Sequence, residues 1–201
     1  TAALVNPPQL RDGWDSAGLW RSLPAEPAAC ATVPVDWKAA GAMLQSLADG
    51  DQALTQAAAQ VGEALHGPAA ACWYGSSTLV APLFAVRLAS AQQAAAVQPA
   101  LAPLFAHIVG SYEAKAAAAD GATGYKRLPV TQRTGAAHAT LWQRPVSARY
   151  GTEDAADAPL ADQLSSDRYF PVTLALAGDV VLFSPDARLV DDALAVLAQR
   201  Y

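Results

Sequence analysis

Sulfur and imidazole side chains are scarce: the 201-residue chain has two cysteines, three histidines and one methionine. A zinc site needs Cys or His ligands clustered at short spacings. Neither Cys30 nor Cys72 has a second cysteine nearby, and His66, His107 and His138 stand alone, so neither a metal nor any other cofactor is expected. Charge is also thin. The chain has 13 Lys and Arg against 18 Asp and Glu, a net charge of −5. Its densest basic stretch is Lys126-Arg127, with Arg133 beyond. Binding nucleic acid takes a clustered cationic face, so no nucleic-acid partner is expected. No segment reads as a transmembrane helix of the roughly 18 apolar residues required. The first residues, TAALVNPPQLRDGW, lack a signal-peptide layout and an initiator Met. The chain therefore reads as a mature product or a piece of a longer protein.

What the chain has in excess is alanine, in runs such as AAAQ, AAAC, AAAV and KAAAAD. These raise the hydrophobic share to 53%. Alanine buries little area, so the core must rest on fewer Leu, Val and Trp side chains. The length suits one large domain or two small ones.

Residues 1–27, rich in Pro, Gly and Trp, read as an irregular lead-in anchored by Trp14 and Trp20, with a single domain over 28–201. AACATVPV (28–35) is a short apolar run between prolines, a buried strand. Asp36 caps a helix with Ala40, Met43, Leu44 and Leu47 on one face. Asp51 caps the next, with its stripe at Leu54, Ala58, Val61 and Leu65. His66-Gly67-Pro68 reads as its end, His66 lying in the last turn and Gly67 as a left-handed cap. AAACWY, GSST and LVAPLFAVRLA then form a strand, a turn and a strand, with Pro82 at an edge or bulge. Ser90 and Gln93 make a capping box for a helix whose inner face is Val97, Leu101, Leu104, Phe105, Ile108 and Tyr112. Pro99 and Pro103 predict a kink or a break in it. Residues 114–124 read as its fraying end and a connection. Residues 125–133 and 136–150 alternate weakly as strands, His138 falling in the second. Residues 151–167 are a loop carrying Glu153, Asp154, Asp157, Asp162 and Asp167. PVTLALAGDVVLFS is a hairpin about Gly-Asp, and Ser184 with Pro185 opens a last helix with Leu189, Ala193, Val196 and Leu197 facing inward. Strands that arrive as hairpins predict an α+β fold: an antiparallel sheet with helices packed mainly on one face.

Several chemistries find no support. GATGYK (121–126) has glycines and a lysine but not the phosphate-loop spacing. The acidic loop lacks the Asp/Asn-Gly-Glu layout of a calcium loop. Ser76 and Ser77 follow a strand, but Gly-x-Ser-x-Gly is absent and a strand follows them. Thr1 as an N-terminal nucleophile would need a strand where AALVNPPQL stands. Cys72, or a serine, paired with His107 or His138 leaves a small-molecule hydrolase or binding protein as the rival reading.

The cysteines have three readings. Cys30 in EPAACATVP and Cys72 in GPAAACWYG share a context of Pro, small residues, Cys and strand. Two intervening helices would lay those strands antiparallel, with opposed Cα atoms about 4.5–5.5 Å apart, within bonding range. Such a bridge would close a loop of about 43 residues and contribute on the order of 4 kcal/mol. Two free buried thiols, or a reactive Cys72, are the alternatives.

Three segments, AGLWRSLPAEPAACATVPVDW (17–37), GPAAACWYGSSTLVAPLFAV (67–86) and LAGDVVLFSPDARLVDDAL (176–194), resemble a family of large bacterial proteins of unknown function. The resemblance implies envelope association, for some members genes near those of α2-macroglobulin-like proteins, and no catalytic motif to carry over. The expectation is thus a non-catalytic, periplasmic or otherwise extracytoplasmic domain that contacts another envelope protein or serves envelope structure. Trp14, Trp20, Trp73 and Trp142 are its candidate interface aromatics, weighed against their serving as core.

Overall fold

A computed structural model describes residues 16–77, 81–119, 128–147 and 169–199. Thr1, Trp14, GATGYK, Lys126-Arg127 and the acidic loop lie outside the described residues. The elements are α1 (Ser16–Trp20), β1 (Ala29–Val33), α2 (Trp37–Ser46), α3 (Gln52–Ala64), β2 (Leu65–Trp73), β3 (Pro82–Leu88), α4 (Ala91–Ala119), β4 (Thr131–Thr134), β5 (Thr140–Ser147), β6 (Tyr169–Ala177), β7 (Val180–Ser184) and α5 (Ala187–Ala198). The seven strands form one sheet in the order β1-β2-β3-β7-β6-β5-β4. Every pairing is antiparallel. The class is α+β, as the hairpin pattern predicts.

Most helical residues lie on one face, but the other is covered too. Under α4 and α3 sit Leu88, Trp142, Val146, Val172, Leu176 and Val181. On the opposite face, Ala70, Cys72, Leu83, Ala85, Leu141, Ala175 and Leu182 meet α1 through Leu19 and α5 through Leu189, Val190 and Leu194. The period-2 alternation of β6 and β7 serves both layers at once.

Asp36 and Asp51 cap α2 and α3 as expected, accepting from Lys38 and Ala39 N–H and from Leu54 N–H. The two helices cross where Gly41 meets Gly62. A Cβ on Gly62 would stand 2.8 Å from the Gly41 Cα, whereas one on Gly41 would meet the Gly62 Cα at 3.4 Å, so the crossing depends on Gly62 lacking a side chain.

Six local expectations need correction. The lead-in contains a helix: Leu19 and Leu23, one turn apart, are buried, while Trp20 points outward. α3 ends at Ala64, and Leu65, His66, Gly67 and Pro68 already belong to β2. Gly67 does take a left-handed φ of +72°, but within the irregularity between His66 and Ala70 rather than in a helix cap. α4 is not broken by its prolines. Pro99 and Pro103 lie on the exposed side, as does Ala95, so the carbonyls of Ala95 and Pro99 that lose an N–H partner face water.

The charge-free run from Leu88 to Tyr112 is longer than the sequence reading allowed. Ala91–Ser111 is long and apolar enough, by length and composition, to cross a membrane. In the fold it buries Val97, Leu101, Leu104 and Phe105 and shows Gln92, Gln93, Pro99 and Pro103 outward. α5 starts later than read. Asp186 caps it, accepting from Arg188 N–H, and Ser184 Oγ instead accepts from Asp186 N–H at 3.0 Å. Finally, His138 lies in a 3-10 turn, Ala136–His138, between β4 and β5.

Candidate functional site

The two cysteines meet directly. Cys30 and Cys72 are register partners on β1 and β2, and the structure bonds them, with Cα atoms 4.1 Å apart. Cys72 is fully buried, so its sulfur is neither free nor reachable as a nucleophile. Around it, Tyr74 donates its hydroxyl to the Pro24 carbonyl at 3.0 Å. Burial pushes the Tyr74 phenol up from its ordinary pKa. Trp37, on the first turn of α2, donates Nε1–H to the Gly67 carbonyl at 2.7 Å. Covalent and directional links thus converge on β1 and β2, where Ala29, Ala31, Ala69, Ala70 and Ala71 leave little side-chain area to pack.

A second group ties the β2–β3 turn to α5. Ser77 donates its hydroxyl to Asp186 Oδ2 at 3.0 Å, and Arg188 reaches the same carboxylate through its backbone N–H and guanidinium. Burial alone would raise the Asp186 pKa. The hydrogen bonds and charge from Arg188, with the bond from Ser77, outweigh it and hold the carboxyl below its ordinary value. This arrangement suits a helix cap with an added clamp, and Ser77 is used up as a donor.

A third group joins a histidine, a serine and an acid. His107 on α4 lies 3.4 Å from Ser111 Oγ, 2.8 Å from the Leu47 carbonyl and 3.5 Å from Asp49 Oδ2. All three distances are to Nε2. A Ser–His–Asp relay uses both ring nitrogens, one as base and one as donor to the acid. Here the carbonyl can only accept, so Nε2 carries a proton toward Leu47 and cannot also take one from Ser111. The group pins α4 to the end of α2. His107 and Ser111 are four apart on a helix, a signal visible in the sequence; Asp49 and Leu47 reach them only through the fold.

Of the other candidates, His66 lines a recess of about 230 Å3 with Gly67, Pro68, Arg87 and Asp179. Arg87 donates to Asp179 Oδ2 through Nε at 3.0 Å and also through Nη2. His138 lines a separate recess beside Gly178 and Leu197. The histidines are therefore dispersed, and among the described residues no cluster of three or more His, Cys, Asp or Glu could hold a metal. Trp142 is buried and donates Nε1–H to Gln132 at 3.1 Å, which removes it as an interface aromatic. Trp20 and Trp73 are 40% and 38% exposed. Sequence reading missed Arg144, which is buried and donates Nε–H to the Leu128 carbonyl at 2.9 Å.

The chain is 35% identical over 184 residues to the uncharacterized protein YfaA of Escherichia coli (strain K12). The similarity covers 92% of this chain but only 30% of that protein. No solved structure matches. The profile of a bacterial family described as "Uncharacterized protein conserved in bacteria (DUF2138)" matches residues 1–201, and the chain belongs to that family.

Proposed function

We propose that the chain is a non-catalytic, extracytoplasmic domain of a longer bacterial protein, serving protein contact or envelope architecture. The observation that carries this reading is the Cys30–Cys72 bridge. Disulfides persist in oxidising compartments and are rare where glutathione and thioredoxin keep thiols reduced. The bridge joins an outermost strand to its neighbour, a position where a small, alanine-rich strand has little else to hold it. The partner on this reading is another envelope protein or another part of the same polypeptide.

The rival, a hydrolase or small-molecule binder using Cys72 or a serine with a histidine, draws on the proximity of Ser111 and His107. The shared Nε2 and the bonded Cys72 both weigh against it.

Trapping thiols with a membrane-permeant alkylating agent in living cells, before lysis, tests the compartment. The expected result is unlabelled Cys30 and Cys72 that become reactive only after reduction of the denatured protein. Labelling of both residues in unreduced cells would remove the support for an extracytoplasmic location.

A further inference from the structure

The sheet face that carries α4 is only partly covered. α4 lies over β3, β5 and β6, whereas β1 and β2 present small side chains to the same side. In the strand register Ala31 faces Ala71, Ala71 faces Phe84, and Phe84 faces Phe183. Ala29 faces Trp73, and Val33 faces Ala69. The period of two places all of these on one face. Four alanines form a flat floor, Trp73 and Phe84 rise on one side of it, and Val33 bounds the other. Val33, Phe84 and Trp73 are 49%, 40% and 38% exposed. The Phe84 ring lies 6.1 Å from that of Phe183, which continues the surface toward the packed core. No residue of this trough is charged. Contiguous apolar surface flanked by aromatics marks interaction sites.

We propose that this trough seats an apolar face from another region of the same longer polypeptide, laid beside α4 in the same layer. The proposal rests on the interaction reading above and names its partner. The occupant follows from chain length. The segment matching this chain is 30% of the Escherichia coli relative, so most of that polypeptide lies outside it and is held at high effective concentration by covalent connection. Alanine floors admit close approach of a backbone, and the rigid aromatics on one side give the occupant fixed anchors. A neutral trough selects an apolar partner surface, not a charged one.

Hydroxyl-radical footprinting read by mass spectrometry tests this, applied to the 201-residue chain and to the intact longer protein. Trp20, on the opposite face of the sheet, is the internal control. The expected result is several-fold slower oxidation of Trp73 and Phe84 in the longer protein, with Trp20 unchanged. Equal oxidation in both proteins, in purified form and in cells, overturns the proposal together with the interaction reading. Oxidation in the purified longer protein but protection in cells overturns the intramolecular partner and leaves the interaction reading standing. Protection that appears in the 201-residue chain as its concentration rises assigns the trough to a second copy, and likewise overturns the proposal.

Discussion

The two ends of the sheet are held by different means. Around β7, β6 and β5 the strands are covered on both faces, and Leu182, Leu141, Ala175 and Val180 are almost wholly removed from water. At β1 and β2 one face is floored with alanine and open, and β1 alternates between exposed and half-buried residues along its length. Burial stabilises in proportion to apolar area, so the first region is held by packing. The second gains little that way and relies on the Cys30–Cys72 bond, the Tyr74–Pro24 and Trp37–Gly67 hydrogen bonds and the strand ladder. An alanine-rich sequence can thus build a wide sheet by concentrating its large side chains at one end and stapling the other.

The sharpest way to break this comparison is to remove the staple. Replacing Cys30→Ala together with Cys72→Ala is expected to cost about 4 kcal/mol, from the freed loop entropy of the unfolded chain, measured by urea denaturation. Next comes a matched pair of truncations. Leu182→Ala, at the packed end, is expected to cost about 3 kcal/mol, and Phe84→Ala, in the open trough, about 1 kcal/mol or less. Similar costs for the two would show that the trough is as tightly packed as the centre.

The clamp between the regions is weaker. Asp186→Ala removes a helix cap and leaves Ser77 without its acceptor, an expected loss of about 2 kcal/mol. Because the native Asp186 pKa is lowered, its contribution is complete above about pH 4 and is lost as pH falls through the native value. The variant is therefore expected to unfold less steeply in acid than the parent, seen as a flatter plot of stability against pH. The smallest effect is a gain. Ala137 and His138 both hold a φ of +55°, and the Ala139 N–H donates to the Ala136 carbonyl at 3.1 Å, closing a turn of the kind that favours Asn-Gly. Ala137→Asn with His138→Gly is expected to add about 1 kcal/mol, read as a raised Tm.

That turn also shows what the sequence hides. The Gly178-Asp179 hairpin is legible because glycine supplies the positive φ of 60° at the first loop position and both strands alternate cleanly. The β4–β5 hairpin uses Ala-His in left-handed backbone, so no local signal marks it. Gly67-Pro68 looks like a helix end because glycine's positive φ serves a helix cap and a strand irregularity equally well. The prolines of α4 predict a break only until one knows that they face solvent. The pairing of β3 with β7 joins residues about 100 positions apart and leaves no local trace. The facing of Cys30 and Cys72 is legible because both sit in strands separated by two reversing helices. Asp49 and Leu47 beside His107 are not, since that group exists only where α2 ends against α4.

Hydrogen exchange on the native chain, with the Cys30–Cys72 bond intact and after its reduction, tests most directly whether the two ends are held by different means. The expected result is that reduction speeds exchange at the amides of β1 and the outer half of β2, while β5, β6 and β7 keep their protection. Equal acceleration across all seven strands, or none at β1, would contradict it.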